Sequence, residues 1–269
     1  STNNGKPLKP TSMQRDKMKK SLSADLPSTS ATILALEASA SQLSIALMRD
    51  GHLLAKRQHL AAHGHAVGIV PLTIETLHEA GETFDAITHV AAGCGPGSFT
   101  GIRVTLAAAK GFCMAHQAVG VGISGLQALA GAASDAEPQA TSACLTSACL
   151  TLADTRRGTL YAQIFDGDAQ PLGDIFESSV ANVPRLIDGD LSASGLTISG
   201  LRIVGAERAA VADALNTAGV STTLPPVEDM PTASMIAQLA AAQIKRGEIT
   251  PLEPLYLAAP RLGPQKKSG

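Results

Sequence analysis

The 269-residue sequence contains no tryptophan, and aromatic residues make up only 3% of it. Single-stranded nucleic acid binds by stacking on aromatic faces, so this chain is poorly equipped to hold RNA or DNA in that way. Its four cysteines, at positions 94, 113, 144 and 149, show no Cys-x-x-Cys spacing. That argues against a thiolate metal site and against a disulfide framework, and it fits a reducing, cytoplasmic setting. No apolar run reaches the length of a membrane span, so no membrane partner is expected. No apolar segment follows the basic N-terminus as a secretory signal would require. A strong excess of one charge is missing too, with a net charge of −2. Residues 1–20 hold six Lys or Arg against one Asp, so everything after them is acidic. An acidic body is no nucleic-acid binder by itself, and any RNA would be held elsewhere.

What the sequence does have is aliphatic: 45% hydrophobic residues against 16% charged, enough for a core of Ala, Leu, Ile and Val. The length allows one large or two small domains. Residues 1–30, rich in Ser, Thr, Pro and Lys, read as a disordered extension, either a tail or a basic, acid-poor transit peptide. The remainder divides at a polar, Pro-containing break over 131–141. The expected parts are 31–135, 136–250 and a proline-rich tail at 251–269.

The most distinctive stretch is 93–112. Apolar Ile87 to Ala92 reads as a buried strand; Gly93, Gly95 and Gly97 with Pro96 form a sharp turn; and a helix is expected over 101–115. Ser98 and Thr100 are candidate N-caps. Such a loop can aim backbone N–H groups at a phosphate at the positive end of a helix. Gly95, Gly97, Ser98 and Thr100 are therefore candidate ligand contacts. The other reading is that the glycines only let helix and strand approach closely. No Gly-Lys-Ser/Thr closes the loop, and its third glycine comes one position too late for a dinucleotide fingerprint.

The helix that follows is apolar nearly all round. Ile102, Leu106, Ala109 and Cys113 form one stripe, with Arg103, Thr105 and Lys110 the only breaks. A helix of that kind is buried on both sides, by core or by a second protein. A second helix, over 65–78, has the same character, with Val67, Ile69, Val70, Leu72, Ile74 and Leu77. Val67, Val70, Ile74, Leu77, Ile102, Arg103, Leu106, Ala109, Lys110 and Cys113 are the candidate partner contacts.

Gly-Pro-Gly-Ser-Phe-Thr-Gly-Ile-Arg at 95–103, followed by Ala-Lys-Gly at 109–111, resembles the signature of the bacterial TsaB (YeaZ) family. Asp154-Thr155-Arg156-Arg157-Gly158-Thr159-Leu160-Tyr161 resembles a second family element, Asp-Ala-Arg-x-Gly-x-x-Tyr. The resemblance implies an α/β protein of the actin-like ATPase (ASKHA, RNase H-like) fold, with two related subdomains, each a mixed sheet flanked by helices. The order of elements agrees. Strands at 33–36, 43–48 and 52–59, with Asp50-Gly51 as a hairpin turn, precede helix, strand and helix. In that superfamily the first strand ends in an acid that serves the nucleotide. Relatives read Asp-Thr-Ser there, whereas this chain has Glu37-Ala38-Ser39, and a plain polar strand end is the competing account.

Further along, Ser124 is expected to cap a third helix. The catalytic relative TsaD carries two histidines four apart at this point, and Gly125 and Leu129 stand in their places. His59, His63 and His65 cluster but lack a completing ligand, so no metal site is expected. Ser-Ala-Cys-Leu-Thr occurs twice in tandem, at 142–146 and 147–151, and either copy can supply the next strand. A hairpin at 154–161, a loose region over 170–200, a strand at 201–204, a helix at 206–218 and a last helix from Thr232 to Gly247 complete the reading.

By resemblance, the expected function is that of a non-catalytic scaffold subunit pairing with TsaD. That assembly transfers a threonylcarbamoyl group to adenosine 37 of tRNAs reading codons that begin with A. The ATPase TsaE and tRNA would join it, and the chain alone would homodimerise through the same helices. The alternative is an enzyme of the same fold: an ATP-dependent phosphotransferase using Glu37 and the Gly95–Ser98 loop with ATP or ADP, or a metallopeptidase. Ser98 sits on a tight turn but lacks a Gly-x-Ser-x-Gly context.

Overall fold

A computed structural model describes residues 30–60, 65–136, 148–187, 200–255 and 257. The basic extension, His63, the break after 136, the first copy of the tandem repeat, most of the Gly/Ser-rich stretch and the end of the tail lie outside the described residues.

Strands β1 (Thr32–Glu37), β2 (Gln42–Arg49) and β3 (His52–Leu60) form an antiparallel meander. Helix α1 (His65–Glu79), strand β4 (His89–Gly93), helix α2 (Phe99–His116) and strand β5 (Val119–Ile123) follow, giving a mixed sheet ordered β3-β2-β1-β4-β5. Helix α3 (Gly125–Ala136) leads to a second round: β6 (Cys149–Asp154), β7 (Leu160–Phe165), β8 (Phe176–Ser178), β9 (Leu201–Gly205), α4 (Arg208–Thr217), β10 (Thr222–Thr223) and α5 (Ala233–Arg246). The second sheet runs β8-β7-β6-β9-β10, which repeats the first in order and in strand direction.

The burial of β1 explains its sequence. Leu34 and Leu36 point into a core shared with α1 and α2, while Ile33 and Ala35 point into a core covered by α5. A strand covered on both faces needs apolar residues at every position, not at alternate ones. The last helices are exchanged: α5 returns to cover β1, β2 and β4 of the first sheet, and α3 packs on β6 and β9 of the second. Caps fall where hydroxyls allow them. Ser98 accepts from the amide of Gly101 at 3.3 Å, Ser124 from Gln127 and Thr232 from Met235. Thr100 lies inside the helix, so Ser98 is the cap.

Some expectations shift. The strand expected over 87–92 is β4 at 89–93, because Ile87 ends a 3-10 turn over Phe84–Ala86. The second tandem copy, not the first, opens β6. The region expected to be loose over 170–200 holds β8, whose three residues pair with β7, and a 3-10 turn at Val180–Asn182. The tail also packs where it is described: Gly122 donates to the Thr250 carbonyl at 2.8 Å, Leu255 to that of Cys94 at 3.0 Å, and Leu252 enters the α1/α2 core.

Candidate functional site

The glycine loop lies directly against the end of β1. Ser98 donates its backbone N–H to the Ser39 carbonyl at 2.7 Å. A Cβ at Gly97 would fall 2.4 Å from that carbonyl oxygen, and one at Gly101 would fall 1.9 Å from the Ala38 oxygen. These glycines are needed because α2 starts against backbone. Gly95 also has its carbonyl engaged, accepting from Gly125 at 2.9 Å.

Glu37 closes the junction from beneath. It is fully buried, and one carboxylate oxygen accepts from the Ser39 amide at 2.5 Å. The other has no hydrogen-bond partner among the described residues, and a Cβ at Gly93 would overlap it. Burial pushes the Glu37 carboxyl up to about 7, against the pull of the Ser39 hydroxyl and the Ser39 and Ala38 amides. Neighbouring Cys94 is likewise pushed up by burial, to about 11. The junction thus brings together Glu37, Gly95, Gly97 and Ser98, as the sequence suggested, with chain-to-chain contacts between them. Thr100 faces outward from the helix.

The partner contacts divide into two groups. Leu77, Ile102, Leu106 and Ala109, expected on an interface, are core residues instead: each is nearly or wholly inaccessible and packs on the first sheet. Cys113 is partly buried against the same cluster. On the outer side of α1, however, Val67, Val70 and Ile74 are 81%, 50% and 52% exposed. The helix turns Ile69 and Leu77 into the core. It buries Thr73 and Thr76, whose hydroxyls donate to the Ile69 and Leu72 carbonyls one turn back, and presents branched aliphatics outward. Arg103 and Lys110 lie on the outer side of α2.

Phe99 and Met114 also lie on that outer stripe, and the sequence reading missed them. Met114 is 84% exposed, and the Arg103 guanidinium sits 3.8 Å from the centre of the Phe99 ring. The signal was there: Phe99 and Ala107 are four residues either side of Arg103, and Met114 is four after Lys110, so they share the face those charges mark. Helices α1 and α2 pack side by side on one face of the sheet. Gly125 and Leu129, at the start of α3, are both buried. Gly125 faces Pro231, and Leu129 lies in the core between α3 and the second sheet. Among the described residues no three His, Cys, Asp or Glu side chains come together as a metal cluster, and no helix is long and apolar enough to cross a membrane.

Twofold repetition of a five-stranded mixed sheet with the same strand order and directions, with exchanged final helices, defines an actin-like α/β protein of two related halves. Over residues 57–250 the chain matches the family model described as TsaD, tRNA N6-adenosine threonylcarbamoyltransferase, and it belongs to that family. It is 33% identical over 98 residues to the tRNA threonylcarbamoyladenosine biosynthesis protein TsaB of Escherichia coli (strain K12), covering 36% of this chain and 42% of that one. Its identity to the TsaB of Haemophilus influenzae is 36% over 102 residues, with shares of 38% and 43%. The chain thus spans about two-fifths of the length of these curated relatives. Among solved structures, YeaZ from Pseudomonas aeruginosa superposes with a TM-score of 0.63 at 22% identity, over 84% of this chain and all of that one. An uncharacterized protein with similarity to peptidase YEAZ, from the same organism, reaches 0.66 at 21% identity, over 85% and 100%. At such identities the likeness speaks for the fold.

Proposed function

We propose that this chain is an accessory subunit in the making of N6-threonylcarbamoyladenosine in tRNA, docking on a catalytic TsaD subunit through the outer faces of α1 and α2. The observation that carries the reading is the outer face of α1, where Val67, Val70 and Ile74 stand in solvent. Apolar surface of that kind is stabilised when a partner covers it. Phe99, Arg103, Lys110 and Met114 continue the face on α2. TsaE and tRNA would join the assembly through TsaD, in keeping with the acidic body of this chain. Alone, two copies would pair through the same face, because a twofold interface uses one patch twice.

A catalytic reading has the family model's description in its favour, since that names the transferase. Against it, Gly125 and Leu129 carry no ligating atom, and Glu37 is enclosed by protein rather than open to a nucleotide. Threonylcarbamoyl transfer is accordingly assigned to the partner. Size-exclusion chromatography of the chain mixed with a bacterial TsaD tests this. A stoichiometric complex is expected, and it should be lost when Val70 and Ile74 are both replaced by Glu. No co-elution of the unaltered chain, or transfer activity by this chain without TsaD, would sink the proposal.

A further inference from the structure

The Glu37 carboxyl is the one buried acid at the junction, and its placement is asymmetric. One oxygen is anchored to the Ser39 amide. The other, without a partner among the described residues, lies against Gly93, where any larger residue would collide with it. Around it are the last residues of β1, the start of the glycine loop and, through Ser98 and Gly101, the first turn of α2. Burial raises its titration, and hydrogen bonds from the Ser39 hydroxyl and the Ser39 and Ala38 amides lower it. The titratable group that faces it is the Cys94 thiol on the loop, held neutral by burial, and Lys110 on α2 acts on Cys94. The junction therefore encloses one carboxyl, with one of its oxygens unpartnered among the described residues.

We infer that Glu37 is a proton-dependent latch: neutral, it stays lodged under Gly93 and holds the glycine loop against β1; ionised, it leaves that position and loosens residues 93–101. The physical reason is that a buried carboxylate with one oxygen left unpartnered is unfavourable, whereas a local opening lets water reach that oxygen. Phe99 and Arg103 ride on the first turn of α2, so the latch also adjusts one end of the docking face. That consequence rests on the docking proposal; the latch itself does not, and it is tested on the isolated chain without any partner.

Hydrogen exchange of backbone amides, followed by mass spectrometry at pH 6 and pH 8 and corrected for intrinsic exchange, reads the opening. Protection over 94–102 should fall by about tenfold between the two pH values, while β6 and β9 hold theirs. In Glu37→Gln the protection should no longer depend on pH. Unchanged protection in the natural chain, or the same fall in the variant, overturns the inference. Should the variant not fold, a carbon NMR titration of the Glu37 carboxyl in the natural chain serves instead. A midpoint near 7 accompanied by shifts at the Ser39 and Gly93 amides supports the latch, and a midpoint below 5 overturns it.

Discussion

The two halves share one wiring and differ in what they display. In the first, the outer strands are long: β3 has nine residues and β5 five, where their counterparts β8 and β10 have three and two. Helix α2 has 18 residues and carries Phe99, Arg103, Lys110 and Met114 outward. Its counterpart α4 has 10 and turns out Ala209, Ala210, Asp213, Asn216 and Thr217. Small and polar residues are content in water; aliphatic and aromatic ones are not. The same frame occurs twice, and α2 of the first half turns Phe99 and Met114 outward where α4 of the second turns out small and polar residues.

The sharpest way to break that comparison is to place a charge on each side of α1 and α2. Leu106 is 5% exposed and faces the first sheet. Leu106→Glu should cost more than about 4 kcal/mol, through a lost core side chain and a buried carboxylate, and should abolish the cooperative thermal transition in circular dichroism. Ile74→Glu, on the outer side of α1, should shift stability by no more than about 0.5 kcal/mol and act on association alone. If Leu106→Glu melts like the natural chain, the inner face has been misassigned.

The strand-end acids sharpen the contrast between halves. Glu37 ends β1 and Asp154 ends β6, and each accepts from the amide two residues on, at 2.5 and 2.7 Å. Glu37 is buried and Asp154 is exposed. Burial raises Glu37 from an ordinary 4.5 to about 7. Below pH 4.5 the group is protonated in both the folded and the unfolded chain. As pH rises above that value the unfolded chain releases the proton while the folded chain keeps it, so stability falls until pH 7 and is then level. The fall should be about 3 kcal/mol, measured by urea denaturation from pH 4 to 8. Glu37→Gln should remove the slope, and Asp154→Asn should leave it in place.

Close approach gives the next effect. Gly101→Ala places a methyl group 1.9 Å from the Ala38 carbonyl, which is backbone and cannot swing aside. A loss of about 2 kcal/mol is expected. Gly111, on the same helix, meets nothing within 4 Å, so Gly111→Ala should instead be neutral or stabilising by up to about 1 kcal/mol. Equal melting temperatures for the two variants would remove the role given to Gly101.

How much of this could be read beforehand follows from the same residues. The meander, its Asp50-Gly51 turn, the strand–loop–helix around 93–116 and the caps at Ser98, Ser124 and Thr232 were legible because each is fixed by local chemistry. Which face of α1 and α2 looks inward was not. Leu77 and Ile74 are equally apolar, and the decisive fact, that Thr73 and Thr76 satisfy their hydroxyls within the helix, needs coordinates. Strands of two and three residues leave no periodicity to detect. Glu37 could be read as an acid at a strand end, but its enclosure depends on Gly93, which is distant in sequence.

The smallest expected effect compares the hairpin arginines. Arg57 on β3 reaches Glu75 and Glu79 of α1 at 3.6 and 3.0 Å. Arg157, in the turn between β6 and β7 of the second half, is shared between the Tyr161 hydroxyl and Glu177 at 2.9 and 3.0 Å. Both are surface pairs, so alanine at either should cost less than about 1 kcal/mol, and less again in high salt. Arg157→Ala should be the larger of the two, because its guanidinium also holds a phenol that salt does not screen. Thermal melts of both variants at low and high ionic strength check this. If Arg57→Ala proves both larger and salt-independent, then β3 is held to α1 by packing of the arginine stem rather than by charge, and the edge of the first half is built more firmly than its ion pairs imply.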